Sequence, residues 1–135
     1  MGFYPDFVVV SSVKDKYVGK KIVVAEHVQY FIPTNNEDEA YYVCAVLNSS
    51  AVRKTLLTLS SGGKSALSKD IIMKIKLGKF SNKKRLHKRL ALLSKMAHHF
   101  ARSEDKTGLR KTETKINGVV EQLYRDIRQR KRHVF

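Results

Sequence analysis

The sequence predicts an α+β fold in which a small antiparallel sheet precedes a set of helices. Two observations support this fold class. The first third of the chain contains short stretches rich in Val, Ile, Tyr and Phe, separated by glycine or polar residues, which is typical of strands. Beyond residue 37, apolar residues recur at helical spacing. The 135 residues are enough for one domain with a buried core.

The first half of the chain predicts strands followed by two helical stretches. The predicted strands are residues 7–13, 21–26 and 28–33. Residues 34–36 offer helix caps, and the acidic residues 37–39 favour a helix start because the positive end of the helix dipole attracts negative charge. Helical spacing runs to residue 47 and resumes over 52–59, so the polar residues 48–50 predict an interruption.

The second half predicts a long amphipathic helix and a C-terminal helix. A loop at 60–65, a short helix at 69–73 and a strand-like stretch at 75–80 come first. The long helix is predicted from Asn82, with apolar residues on one side and cations largely on the other. Residues 102–112 are polar and include Gly108, which predicts a connection before a last helix over 116–127. We expect residues 1–128 to form a single domain and 129–135 a basic tail.

Positive charge is concentrated in the middle of the chain. Lys and Arg number 27 against 12 Asp and Glu, which gives a formal net charge of +15. Residues 1–50 carry a net charge of −2, residues 51–100 of +12 and residues 101–135 of +5. Because cations placed on phosphates release condensed counterions, this excess favours nucleic acid as a partner, with an anionic membrane surface second. The uneven placement favours an oriented binding face over a merely solubilising surface.

Motifs for catalysis, cofactors or metals are not found in the sequence. Residues 62–65 resemble the end of a phosphate-binding P-loop, but Thr58 stands where that motif needs glycine. The five histidines lack companion ligands at zinc-site spacing. Cys44 is the only cysteine, and its apolar neighbours favour a packed side chain over a nucleophile. We expect no enzyme activity, no cofactor, no metal, no membrane partner and a cytoplasmic location.

Several segments, taken in order, resemble one family. They are VQYFIP (28–33), EAYY (39–42), AVLNSS (45–50), GGK (62–64), LSK (67–69), IKLGKF (75–80), LHKRL (86–90), LSKMAH (93–98) and INGVVEQLY (116–124). Their order and spacing resemble the C-terminal specificity domain of Taq-like N6-adenine DNA methyltransferases and related restriction-modification enzymes, over about residues 20–128. Gly78 and Asn117 depart from it, since family members often have Pro and Asp there. The family's catalytic motif needs two adjacent prolines, whereas Pro5 and Pro33 are isolated.

The resemblance implies recognition of a double-stranded DNA target, with catalysis on another domain or subunit. Together with the charge pattern it predicts a non-catalytic DNA-binding specificity module. The loop residues are predicted near the groove, and the later cations on phosphates. The predicted DNA-binding residues are Ser60, Ser61, Gly62, Gly63, Lys64, Lys69, Lys74, Lys76, Lys79, Lys83, Lys84, Arg85, Lys88 and Arg89.

Two alternatives stay open at this point. The chain could be an interaction subunit, or a relic fragment, whose helices dock on a methyltransferase or restriction subunit or pair with a second copy of the chain. It could also bind RNA, with bases stacked on aromatic side chains. The candidates for stacking are Tyr30, Phe31, Tyr41 and Tyr42.

Overall fold

The computed structural model describes residues 7–9, 13–15, 19–21, 34–59, 75 and 77–132, and for 13–15, 19–21, 131 and 132 it describes the backbone alone. This part of the chain contains four helices and two short strands. The helices are α1 (Glu37–Asn48), α2 (Ser50–Leu59), α3 (Arg85–Arg102) and α4 (Lys106–Arg132). The strands are β1 (Val13–Asp15) and β2 (Gly19–Lys21), which pair antiparallel with Val13 opposite Lys21.

The predicted α+β fold is wrong, because the described part of the chain is built on helices. The strands β1 and β2 have three residues each and form a single hairpin. Every buried apolar residue among those described lies on one of the four helices. The main core cluster consists of Tyr42, Ala45, Val46, Leu47, Val52, Leu56, Leu90, Ala91, Leu93, Ile116, Val119, Val120 and Leu123. The strands predicted at 21–26 and 28–33 lie, apart from Lys21, outside the described residues.

The stretch at 75–80 also differs from its prediction. Its described residues, 75 and 77–80, form no strand. Ile75, Leu77 and Phe80 are instead half-buried and pack against the helical core. A high strand propensity measures how well a side chain fits a half-buried surface, and a cluster of helices supplies such a surface as well as a sheet does. The short helix predicted at 69–73 lies outside the described residues.

The two helices of the first half are found where the sequence predicts them. The Asn36 side chain caps α1 by accepting a hydrogen bond from the Glu39 amide (3.2 Å), and all three acidic residues at 37–39 lie in the first turn. The predicted interruption is confirmed, because α1 ends at Asn48 and α2 begins at Ser50. The Asn117 side chain of α4 accepts a hydrogen bond from the Ser50 amide (2.9 Å), which ties the start of α2 to α4.

The helices α3 and α4 form a tight antiparallel hairpin, and here the predicted connection at 102–112 is wrong. The two helices are joined by residues 103–105 alone. The Asp105 amide donates to the Phe100 carbonyl (2.9 Å) and the Glu104 amide to the Ala101 carbonyl (3.3 Å), with Glu104 in the left-handed region at φ 57°. This hydrogen-bond pattern is a Schellman turn, in which glycine usually occupies the left-handed position.

Gly108, which predicted a loop, lies inside α4 because α3 comes close to it. A Cβ atom at this position would stand 2.8 Å from the Phe100 ring. Asp105 caps the start of α4, because its carboxylate accepts a hydrogen bond from the Gly108 amide (2.9 Å). The glycine is therefore needed for helix packing, and the helix runs through it. At the other end, residues 128–132, expected beyond the last helix, belong to α4.

A polar clasp on α1 and α3 holds residues 7–9. The Asn48 side chain accepts from the Phe7 amide (2.9 Å) and donates to the Phe7 carbonyl (2.8 Å), as a neighbouring strand would. The Val9 amide donates to Nε2 of His98 (3.2 Å), while Nδ1 of His98 bonds the Ser94 carbonyl (2.7 Å). The clasp therefore fixes backbone atoms of an extended segment.

The same clasp contains the Cys44 thiol, which has the surroundings of a packed side chain. Its Sγ donates to the Phe7 carbonyl (3.3 Å) and stands 4.0 Å from Nε2 of His98. That nitrogen already accepts from Val9, so it is not available to take the thiol proton. Burial raises the pKa of Cys44 to about 11. A nucleophilic cysteine needs a lowered pKa, so the raised pKa agrees with a packed thiol.

We expect Asn48→Ala to expose Cys44 to thiol reagents. Loss of the two hydrogen bonds to Phe7 weakens the clasp, and an opening equilibrium that shifts by about 1.4 kcal/mol speeds labelling about tenfold. Labelling with an aromatic disulfide under native conditions measures this rate. Asn82→Ala, at an exposed asparagine away from the clasp, serves as the control. Equal rates in Asn48→Ala and the unsubstituted chain would contradict the assignment.

Candidate nucleic-acid interface

Nine exposed cations lie on the segment before α3, on the first turns of α3 and on the C-terminal part of α4. Because α3 and α4 are antiparallel, the start of α3 lies beside the C-terminal part of α4. Residues 77–89 and 121–130 contribute nine cations and two carboxylates, those of Glu121 and Asp126, and Asp126 accepts from Gln122 (2.7 Å). We call this surface the cationic face. It consists of Lys79, Lys83, Lys84, Arg85, Lys88, Arg89, Arg125, Arg128 and Arg130, all of them exposed.

The start of α3 carries positive charge at the helix N-terminus, where positive charge is least favourable. The first turn of α3 has no acidic residue, and its N-cap, Lys84, makes no side-chain cap hydrogen bond. The helix dipole is positive at this end, so neighbouring cations are unfavourable and an anion is favourable. The helix α1, with three acids in its first turn, shows the usual arrangement. An anionic ligand would offset the charge at the start of α3.

The segment that carries the first cations is fixed to the core by Tyr42 and His87. The Tyr42 hydroxyl donates to the Gly78 carbonyl (2.9 Å), and the two rings stack with centroids 4.5 Å apart. Nδ1 of His87 accepts from the Ser81 amide (3.1 Å). Both rings are fully buried. Lys79, Lys83 and Lys84 are therefore presented from an anchored backbone.

Burial of His87 also keeps its ring neutral. Removal from water lowers the pKa of His87 below its ordinary value of 6.5, and the charges of Lys84 and Arg130 add to this effect. The neutral ring supplies the lone pair that the Ser81 amide needs. Lys84 is the N-cap of α3, and Arg130 belongs to α4. Because both charges act on the His87 ring, each of the two helices brings a cation near that ring.

A groove of about 380 Å³ runs between α3 and α4 beside the cationic face. Arg85 and Arg89 stand one turn apart on the α3 side, and Lys115 lies on the α4 side. The remaining lining residues are Leu86, Gly118, Val119 and Gln122. The groove is therefore open to an anion from the same side as the cationic face.

A larger groove, of about 560 Å³, lies between α2 and α4. It brings the Glu121 carboxylate to the same lining as Arg125 and Arg128. Its other lining residues are Ala51, Val52, Thr55, Ile75 and Tyr124. The carboxylate makes this groove less suited to a polyanion than the groove between α3 and α4.

The opposite end of the α3–α4 hairpin is more acidic. Glu104 and Asp105 lie in the connection between the helices. Lys95, which the helical pattern places among the outer cations of α3, pairs with Asp38 of α1 (Nζ to Oδ1, 2.7 Å), and that hydrogen bond raises the Lys95 pKa. Its charge is thus compensated.

The structure brings together six of the fourteen sequence-predicted DNA-binding residues. Lys79, Lys83, Lys84, Arg85, Lys88 and Arg89 all belong to the cationic face. The others, Ser60, Ser61, Gly62, Gly63, Lys64, Lys69, Lys74 and Lys76, lie outside the described residues. Sequence reasoning missed Lys115, Arg125, Arg128 and Arg130 on α4. Arg125 and Arg128 flank the apolar residues Tyr124 and Ile127, and this helical pattern was the signal that could have found them.

Comparison with models of known protein families, with curated proteins and with solved structures finds no match to this chain. The described residues contain no group of three or more His, Cys, Asp or Glu side chains that could hold a metal ion. None of the described helices is long and apolar enough to cross a membrane.

We expect the buried His87 to make the fold sensitive to mild acid. Its folded pKa lies below the unfolded value of 6.5, so the unfolded chain binds the extra proton more readily. Stability is full above about pH 6.5 and falls below it, by up to about 1.4 kcal/mol per pH unit while only the unfolded state is protonated. Urea unfolding at several pH values between 5 and 7 measures this slope.

His87→Asn isolates the contribution of this ring. Asparagine keeps an acceptor for the Ser81 amide but does not titrate, so the slope between pH 5 and 6.5 should flatten although the loss of ring stacking lowers stability. His99→Asn, at an exposed histidine on the same helix, is the control and should keep the slope. An unchanged slope in His87→Asn would show that another group causes the acid sensitivity.

Proposed function

We propose that this chain is a non-catalytic module that binds double-stranded DNA through the cationic face. The observation that carries the proposal is the excess of nine exposed cations over two carboxylates in residues 77–89 and 121–130. Cations on phosphates release condensed counterions, which supplies affinity without regard to base sequence. The cations belong to three separate segments, which are the residues before α3, α3 itself and α4, so the excess is not a single charge run.

The geometry favours a stiff duplex over flexible single strands. The cations lie on two helices and on an anchored segment. The backbone that carries them is therefore already ordered, and binding costs little conformational entropy there. From Lys115 to Arg130, α4 advances about 22 Å at 1.5 Å per residue, a length over which duplex DNA presents about 13 phosphate charges. Cations at both ends of this stretch, Lys115 and Arg130, suit contacts to phosphates that are well separated along the duplex.

The aromatic residues argue against the RNA-binding alternative. Single-stranded RNA is read by bases stacked on exposed aromatic rings. Tyr42 is fully buried and stacks on His87, while Tyr41 packs edge-on against His98. Neither ring lies on the cationic face. Tyr30 and Phe31 lie outside the described residues.

A target-recognition role in a restriction-modification or DNA methyltransferase system is the finer part of the proposal. Its support is the resemblance in segments between residues 28 and 124. Under this proposal a methyltransferase or restriction subunit supplies catalysis. Residues other than the described ones contact the base edges in the DNA groove. Enrichment of one motif from a random duplex pool would support this role, whereas uniform binding of the pool would restrict the function to phosphate contact.

A protein-interaction subunit is the second candidate, and one observation favours it. Leu92 and Met96 lie one turn apart on α3, and 59% of the Leu92 surface is exposed. Such a pair could pack against a partner subunit or against a second copy of the chain. Failure of the chain to bind duplex DNA even at low salt would favour this candidate over the first.

We expect the charge reversal Lys83→Glu, Lys84→Glu, Arg85→Glu to weaken binding to all duplex sequences alike. The plot of log affinity against log salt should lose about 0.9 of its slope for each phosphate contact removed. Glutamate at the start of α3 suits the helix dipole, so loss of binding would not result from a weaker fold. Fluorescence anisotropy with a labelled duplex at several salt concentrations measures both quantities.

The matched control reverses three charges away from the cationic face: Arg102→Glu, Lys106→Glu and Arg110→Glu. These exposed residues lie at the opposite end of the α3–α4 hairpin, and the net charge changes by the same amount. The control should keep most of the affinity and the salt slope. If both triple variants lose affinity equally, net charge and not the cationic face determines binding.

A further inference from the structure

Gly118 lies at an exposed position inside a long helix, where glycine is unfavourable. The helix α4 has 27 residues, and Gly118 lies near its middle. Glycine has a low helix propensity because its backbone loses the most conformational freedom on folding. An exposed helix position therefore normally holds another residue unless the absence of a side chain has a use.

Helix packing does not explain this glycine. A Cβ atom at Gly118 would meet no atom within 4 Å, whereas one at Gly108 would stand 2.8 Å from the Phe100 ring. Gly108 is thus required by the contact between α3 and α4, and Gly118 is not. The space in front of Gly118 belongs to the groove that Arg85, Arg89 and Lys115 also line.

We infer that Gly118 forms the floor of a seat for one phosphodiester stretch of the DNA backbone, in the groove between α3 and α4. Arg85 and Arg89 reach the phosphate from the α3 side, and Lys115 from the α4 side. Guanidinium groups suit this role because their planar donors match two phosphate oxygens at once. The missing side chain lets the sugar and phosphate lie against the helix surface, as glycines do where a ligand approaches backbone closely.

This inference deepens the proposed function and rests on it. The cationic face supplies general attraction to a polyanion, while the groove fixes where one strand lies. Phosphate contacts of this kind determine the register of a protein on the duplex. The groove therefore orients α3 and α4 relative to the strand axis.

The test fills the groove without changing any charge. Gly118→Leu places a branched side chain over the groove floor, and Gly118→Ala places a methyl group there. Both replace glycine by a better helix former with no atom within 4 Å of the new Cβ, so the melting temperature should rise. Thr107→Leu, at an exposed position near the start of α4, adds a similar apolar side chain outside the groove and is the control.

Binding of a labelled duplex by the full chain is measured by anisotropy at two salt concentrations. Gly118→Leu should weaken binding about tenfold or more and reduce the salt slope, since loss of one charge-assisted contact corresponds to about that factor. Gly118→Ala should have a smaller effect in the same direction. Thr107→Leu should bind as the unsubstituted chain does.

The remaining outcomes separate this inference from the proposed function. Normal binding by Gly118→Leu, together with lost binding by the charge reversal at residues 83–85, would overturn the groove seat and leave the proposed function standing. No binding by the unsubstituted chain would overturn both. A lower melting temperature in Gly118→Ala would show that the glycine has a packing role and would likewise overturn the seat.

Discussion

The antiparallel packing of α3 on α4 is the constraint on which the rest of the structure depends. The Schellman turn at 103–105 and the contact between Phe100 and Gly108 set this pairing at one end of the hairpin. At the other end the same pairing brings the start of α3 beside residues 115–122 of α4, so Arg85 and Arg89 line one groove with Lys115 although they are distant from it in the sequence. Leu90, Leu93, Val119 and Leu123 bury their side chains in the core that these helices share. The apolar packing thus determines the charge distribution, because it decides which polar faces lie side by side.

The cationic face is held at some cost to the fold. Like charges near the positive end of a helix dipole repel one another and the helix, and α3 has no acid in its first turn to relieve this. Buried contacts close to these cations stabilise the fold against this repulsion. Tyr42 and His87 anchor residues 78–81, and burial keeps His87 neutral among the cations. Such conflicts between local preference and overall fold are concentrated at functional sites in natural proteins. Gly118 is a second conflict of this kind, and it lies in the same groove.

Helical spacing predicted more of this molecule than strand propensity did. The sequence predicted α1, its acidic first turn and the break before α2, because caps and charges act within a few residues of their position. The α+β fold class was wrong since β-branched and aromatic residues such as Ile75 and Phe80 serve equally well as cover for a helical core. Gly108 predicted a loop because its reason, the Phe100 ring, is a tertiary contact. For the candidate site, the cations from 79 to 89 could be found from composition and amphipathic pattern. Lys115 and Gly118 could not, because their role depends on the pairing of two helices.

Mapping of the DNA-contacting amides tests the central claim most directly. In a titration of the ¹⁵N-labelled full chain with a short duplex, amide chemical shifts should change at residues 79–89 of the anchored segment and α3 and at 115–130 of α4. Residues 37–48 of α1 and 102–110 around the α3–α4 connection should change little, since neither stretch contributes a residue to the cationic face. Shift changes that cluster on α1 and the connection, or that do not discriminate between the two ends of the bundle, would contradict the assignment of the cationic face as the DNA-binding surface.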